Sequence, residues 1–229
     1  MNIGGLQKFS LIDYPGKICA IIFTQGCNFK CGYCHNPELV NPEQFISALD
    51  EKEIIYFLKQ RQGKLDAVCV TGGEPLLQKE ILKFIKKIKD LGFLVKLDTN
   101  GTRPEILSKL IKGNLLDYIA MDIKAPLEKY EKIARAKINL ENIQQSIKII
   151  MNSDIDYEFR TTIVKSQLSP AEIKKIAQLI QGARLYIMQK FVATKANNPE
   201  FLKQKTYTDA EFENLRKELL KYVKDCQVR

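Results

Sequence analysis

The sequence predicts an α/β fold, a partial (β/α)6 TIM-like barrel, and three observations carry that prediction. Six apolar runs of strand length lie between residues 17 and 191 and alternate with segments of helical period. Strict β–α alternation argues for a parallel sheet covered by helices, and six units are too few to close an eight-stranded barrel. The segments of unusual polar or glycine content all fall toward the C-terminal ends of the runs, where such barrels place their chemistry.

Residues 1–16 read as an extended lead-in ending in the Pro15-Gly16 turn. Lys17–Thr24 is the first strand, and the loop Cys27–Pro37 follows it. Asn41-Pro42-Glu43-Gln44 joins an N-cap residue, proline at the first helical position and glutamine at the capping-box position. A helix is therefore expected from there through Ser47–Gln60, a break near Asp50 being compatible with the pattern. Leu65–Thr71 is a strand ending in Gly72-Gly73-Glu74-Pro75, and Lys79–Leu91 an amphipathic helix. Phe93–Asp98 is a strand ending in Thr99-Asn100-Gly101, with a helix over Pro104–Lys112. Tyr118–Ile123 is a strand followed by Lys124-Ala125-Pro126 and irregular or short helical structure to about Ala136. Asn139–Asn152 is a helix and Asp156–Val164 the fifth strand. Ser169-Pro170-Ala171-Glu172 opens a helix to about Gln181, Arg184–Phe191 is the last strand, and Thr208-Asp209-Ala210-Glu211 caps a final helix to about Lys224. No repeat or linker divides the chain, so one domain is expected over 1–229: lead-in 1–16, partial barrel 17–191, and a C-terminal segment with its helix over 192–229.

Composition narrows the function classes. With 45% hydrophobic and 28% charged residues, the 229-residue chain is an ordinary globular one. It shows no leader and no run long enough to span a bilayer, so a cytoplasmic protein with no membrane partner is expected. The net charge of +9 is dispersed over Lys79–Lys89, Lys174-Lys175 and Lys217–Lys224, interleaved with glutamates. Solvated helix faces are the favoured reading, with nucleic acid or an acidic protein the lesser one. Six cysteines, three of them clustered, argue for metal rather than disulfides. His35 is the only histidine, which excludes a multi-histidine metal site.

The clustered thiols are Cys27, Cys31 and Cys34, at C-x3-C-x2-C spacing after the apolar run Ala20–Phe23. A structural zinc site closes with four ligands and an ordinary iron–sulfur cubane takes four cysteines. Three thiols leave one iron of a cubane open to something that is not protein. A zinc knuckle completed by a distant cysteine or by His35 is the bland alternative. Cys19, Cys69 and Cys226 read as buried or incidental thiols.

On this spacing the chain resembles the radical S-adenosylmethionine (SAM) superfamily, whose fold is a partial barrel of the predicted kind. The resemblance implies a 4Fe–4S cluster on Cys27, Cys31 and Cys34, its open iron chelated by the amine and carboxylate of SAM. Tyr33 resembles the family's aromatic placed near the adenine. Gly72-Gly73-Glu74-Pro75 is similar to the segment that binds the methionine amine; glycines bring backbone carbonyls close to an ammonium and a carboxylate balances it. Asp98, Thr99, Asp122 and Lys124 match positions that glycyl-radical activating enzymes use around the SAM carboxylate. There the two aspartates, the threonine and a backbone carbonyl (Met121 here) hold a monovalent cation that keeps the aspartates from repelling the carboxylate. Asn36 and Arg160 also match SAM-contacting positions. Where some relatives carry a late histidine, this chain has Gln189-Lys190-Phe191.

Within the superfamily, Gln7-Lys8-Phe9-Ser10-Leu11-Ile12-Asp13-Tyr14-Pro15-Gly16, the run Phe23–Asn28 and Cys34-His35-Asn36-Pro37-Glu38 resemble the activating proteins of anaerobic ribonucleoside-triphosphate reductase. The resemblance implies reductive cleavage of SAM to methionine and a 5′-deoxyadenosyl radical, which takes hydrogen from a glycine α-carbon of the partner. Electrons would come from flavodoxin or ferredoxin. The rivals are activation of another glycyl-radical enzyme such as pyruvate formate-lyase, and a radical SAM enzyme acting on a small molecule or tRNA, such as 7-carboxy-7-deazaguanine synthase. A non-catalytic cluster- or zinc-bearing module is the last.

Overall fold

The computed structural model describes residues 1–229. Its centre is one sheet of eight strands in sequence order. The strands are β1 (Ile3–Ser10), β2 (Cys19–Thr24), β3 (Ala67–Gly72), β4 (Leu94–Thr99), β5 (Tyr118–Asp122), β6 (Asp156–Ile163), β7 (Tyr186–Lys190) and β8 (Cys226–Val228). The helices are α1 (Glu51–Lys59), α2 (Ile81–Asp90), α3 (Pro104–Lys112), α4 (Tyr130–Ala134), α5 (Leu140–Met151), α6 (Pro170–Leu179) and α7 (Asp209–Leu219). Strands β2 to β8 run parallel, each pair joined through helical crossovers, while β1 lies antiparallel to β2. β1 and β8 do not pair, so the barrel is open on that side.

The six predicted strands are β2 to β7, and the sheet carries two more. The lead-in is itself a strand, with Leu6 opposite Ile22 and Gln7 opposite Ile21. Its residues do not alternate cleanly between buried and exposed, which hides the strand period from the sequence. The C-terminal segment contributes β8, whose three residues are too few to display any period.

The predicted helix start at Asn41 is corrected. Pro42–Gln44 makes a single 3-10 turn, and α1 begins only at Glu51, where Asp50 accepts from the Lys52 amide at 2.8 Å. The Asn41 side chain is spent elsewhere, donating to Asn197 Oδ1 at 2.8 Å. The stretch between is held extended. Gln25 exchanges two hydrogen bonds with the Ile46 backbone, and the Leu49 amide donates to the Ile3 carbonyl. The later start signals form as read: Asn139 caps α5, and Ser169/Glu172 and Thr208/Glu211 make full capping boxes.

Successive strand residues face opposite sides, and the two sides differ in kind. Val68, Val70, Val95, Leu97, Ile119 and Met121 join Phe84, Ile85, Leu107, Leu110, Ile143 and Ile147 in a continuous apolar core. Cys19, Ile21, Ala67, Cys69, Tyr118 and Tyr14 form a small separate cluster, and Lys96, Asp98 and Arg160 stand on that second face. The sheet therefore presents apolar side chains outward to the helices and charged ones inward.

Candidate active site

Strand β2 delivers the cysteine loop to the C-terminal rim, and backbone bonds fix it there. The Gly73 amide donates to Thr24 O, the Glu74 amide to Gly26 O and the Gly26 amide to Leu39 O, each at 2.8 Å. Further along, the Lys30 amide donates to Ala134 O at the end of α4, and the Asn198 amide to Gly32 O. Phe201 closes over the loop so tightly that a Cβ on Gly32 would meet its ring at 2.4 Å. Cys27, Cys31 and Cys34 are all free thiols.

These thiols line one cavity of about 220 Å³. Tyr33 and Asn36 line it from the same loop, Gly72, Gly73 and Glu74 from the end of β3, and Asp98 and Thr99 from β4. Asp122, Lys124 and Arg160 complete the wall from β5, the segment after it, and β6. Met121 is not in the wall; its side chain belongs to the outer core, 2.0 Å from where a Cβ on Gly101 would lie. Gln189 is also outside, against Thr162 Oγ1 at 3.5 Å. His35 lines the cavity, with its ring stacked on Phe191 and Nε2 donating to the Val192 carbonyl at 3.0 Å, so that nitrogen is engaged.

The paired glycines have a local cause. Gly72 has φ +112, and a Cβ there would stand 2.4 Å from the Thr24 amide nitrogen. A Cβ on Gly73 would stand 2.2 Å from Gly26 O. Both lack side chains because the backbone entering the cysteine loop passes against them.

Glu74 is almost fully buried and spans two rim segments. Its Oε1 accepts from the Thr99 hydroxyl at 2.7 Å and the Leu76 amide at 3.0 Å, and Oε2 from the Asn100 amide at 2.6 Å. Burial pushes its carboxyl up to about 7, against the pull of these donors. Between the ordinary value of 4.5 and about 7 the folded protein then binds more protons than the unfolded chain, so this group's contribution to stability falls as pH rises through that window. Melting temperature followed across it should show the wild type losing ground relative to Glu74→Gln as pH rises. Parallel curves would contradict this.

The other wall charges form a ladder. Asp98 accepts from Lys96 Nζ at 2.5 Å, from Arg160 Nη1 at 3.2 Å and from the Thr71 hydroxyl at 3.2 Å. Asp122 accepts from Arg160 Nε at 2.9 Å and from Lys124 Nζ at 3.0 Å. Burial alone would raise both carboxyls, but the neighbouring cations outweigh it and hold both below the usual range. The Arg160 guanidinium thus bridges the two aspartates.

Asn28, Asn100 and Thr102, which carry no motif of their own, also belong to the site. Asn100 Nδ2 donates to Asn28 Oδ1 at 2.8 Å, Asn28 Nδ2 donates to the Thr102 hydroxyl at 2.9 Å, and that hydroxyl donates to Asn100 Oδ1. This triangle pins the cysteine loop to the end of β4. Its only sequence signal was an asparagine beside each of the two marked segments.

A sequence profile described as the radical SAM superfamily matches residues 21–184, well over half of the chain. The chain belongs to the radical SAM superfamily. A Methanocaldococcus jannaschii protein provisionally named a glycyl-radical enzyme activating enzyme is 34% identical over 99% of this chain and 95% of its own. The pyruvate formate-lyase-activating enzyme of Clostridium pasteurianum is 29% identical, over 80% of this chain and 77% of its own. The 7-carboxy-7-deazaguanine synthase of Thermoplasma acidophilum is 30% identical, over 74% and 82%. Among solved structures, Streptococcus suis SuiB superposes with a TM-score of 0.68 at 16% identity, over 91% of this chain. This chain spans about half of SuiB (48%), and at that identity the likeness is one of fold.

Membership of the radical SAM superfamily implies a 4Fe–4S cluster and SAM, and the residues present fit both. Burial pushes the Cys27 thiol up to about 12 and raises Cys31 and Cys34 as well, a cost that bound iron reverses by taking thiolates. No three His, Cys, Asp or Glu side chains converge at single-ion distance. The Tyr33 hydroxyl is buried in the wall beside the Cys31 thiol, its one neighbour for a hydrogen bond. No helix is long and apolar enough to cross a membrane.

Proposed function

We propose that this radical SAM protein is a glycyl-radical enzyme activase and that its partner is anaerobic ribonucleoside-triphosphate reductase. The observation that carries the reading is the cavity, which gathers three free cysteines, a glycine-bounded rim and the partly buried cations Lys124 and Arg160 from five strand ends. Similarity to a glycyl-radical activating relative along 99% of the chain supports the activase class. The choice of partner rests on the runs Gln7–Gly16, Phe23–Asn28 and Cys34–Glu38.

In this reading Cys27, Cys31 and Cys34 ligate the cluster. When bound, the cluster supplies the electron that cleaves SAM to methionine and a 5′-deoxyadenosyl radical, which takes hydrogen from a glycine α-carbon. The protein's own residues bind and orient. The Gly72 and Gly73 carbonyls with Glu74 and Asn36 receive the methionine amine, Lys124 and Arg160 the carboxylate, and Tyr33 lies at the adenine. Asp98 and Asp122 keep Arg160 and Lys124 in place, and with Thr99 and the Met121 carbonyl they are the candidate holders of a monovalent cation beside the carboxylate. The open side between β1 and β8 supports entry of a peptide loop, and glycine offers no side chain to block approach. Flavodoxin or ferredoxin supplies electrons.

Reduced, reconstituted protein incubated with SAM and each candidate partner is expected to give a glycyl radical doublet by EPR with the reductase. A doublet only with pyruvate formate-lyase overturns the choice of partner. The 30% identity to a deazaguanine synthase favours a second reading, a free small substrate. Turnover of such a substrate without any protein partner would establish it.

A further inference from the structure

We infer that Lys96, which does not line the cavity, is a positioning residue whose charge keeps the wall receptive to a ligand carboxylate. The inference rests on the reading that SAM occupies this cavity.

Lys96 stands on the inner face of β4, two residues before Asp98, with its side chain 3% exposed. A lysine is rarely buried so completely without a specific partner, because withdrawing an ammonium from water is costly. Its one carboxylate partner is Asp98, at 2.5 Å. Its other neighbours are Cys69 Sγ at 3.9 Å and the Tyr118 ring, whose centroid is 6.0 Å away. From Lys96 the charges alternate through Asp98, Arg160 and Asp122 to Lys124, every link at 3.2 Å or less. The nearest further carboxylate, Glu158, lies 3.9 Å from Arg160 and is matched by Arg229 at 3.1 Å.

Three cations face two carboxylates in this ladder, leaving one positive charge uncompensated. Its upper end, Lys124, lines the cavity, and its lower end, Lys96, is sealed beneath. Without Lys96, two cations face two carboxylates and the set closes on itself. Asp98 would then have only Arg160 and the Thr71 hydroxyl as partners, drawing the guanidinium down and away from the cavity. An anionic ligand group would meet a wall with one positive charge fewer behind it. Lys96 thus acts at a distance, by satisfying Asp98 so that Arg160 and Lys124 stay available above.

The test compares the reconstituted holoenzyme with Lys96→Met, measuring equilibrium binding of SAM and of its decarboxylated analogue, which differs only in the carboxylate. In the variant, SAM affinity is expected to fall about tenfold, while affinity for the decarboxylated analogue stays at the wild-type value. The preference for SAM over the analogue should therefore collapse. A purely structural role would weaken both ligands alike; that result, or no change in either, overturns the proposal. If Lys96→Met does not fold, Lys96→Gln, which keeps a donor toward Asp98 without the charge, is read by the same criterion. Failure of the wild type to bind SAM at all overturns the SAM reading itself, and is recognisable because no Lys96 variant enters that measurement.

Discussion

Cys31→Ala protein is expected to fold, to retain markedly less iron after anaerobic reconstitution, and to give no detectable 5′-deoxyadenosine from SAM under dithionite. Folding survives because Cys31 is a small buried side chain among apolar neighbours, where its loss costs about 1 kcal/mol. The cavity has no fourth cysteine to replace it. His35 Nε2 is tied to the Val192 carbonyl, and Cys19, Cys69 and Cys226 all lie outside the cavity wall. Cys27→Ala and Cys34→Ala should behave alike. Cys226→Ala, on the edge strand β8, is the control and should keep full iron and activity. SAM cleavage surviving in Cys31→Ala would remove the three-cysteine centre from the account.

The second large effect is expected from a single methyl group. Gly73→Ala should destabilise the fold by about 3 kcal/mol, measured by denaturant unfolding, and prevent cluster assembly. The added carbon would lie 2.2 Å from Gly26 O, 2.7 Å from Gly26 C and 3.1 Å from Leu39 O. All three are backbone atoms, so no rotamer change can relieve the contact. The displaced segment leads directly into Cys27. At Gly63, in an open turn, a Cβ meets nothing within 4 Å, and the cost is limited to its φ of +73. Comparison of Gly63→Ala with Gly73→Ala therefore separates local backbone strain from the clash. Equal effects at the two positions would contradict the packing argument.

The close approach of backbone to both residues changes the meaning of the glycine motif. From the sequence, Gly72-Gly73 needed no side chains so that carbonyls could approach a ligand amine. In the structure the same two residues are bare because a neighbouring backbone approaches them first. The two explanations are compatible, but only coordinates could reveal the second, since nothing in Gly-Gly-Glu-Pro names Thr24 or Gly26 as its neighbours. Glu74 carries the same lesson. Its charge was legible, whereas its three donors come from Leu76, Thr99 and Asn100, two of them on the next strand's rim.

Local pattern accounts for what was legible. The strands β2 to β7, the caps of α5, α6 and α7, and the placing of every marked polar segment at one rim all follow from period and from short-range hydrogen-bond chemistry. The start of α1 was misread because Asn41 has the chemistry of an N-cap, and only Asn197, 156 residues away, diverts it.

By itself the sequence determined the fold class and the three-thiol loop, while the family resemblance it carries named most of the residues that line the cavity. The first two depend on spacing within a few residues and on strict β–α alternation. The tertiary structure alone decided that the lead-in and the C-terminal segment supply the two edge strands, that Arg160 bridges Asp98 and Asp122, and that Lys96 supports Asp98 from beneath. These outcomes depend on which strands lie side by side and how far apart their charges end up. A buried charge is stable only beside the partner that the fold brings to it.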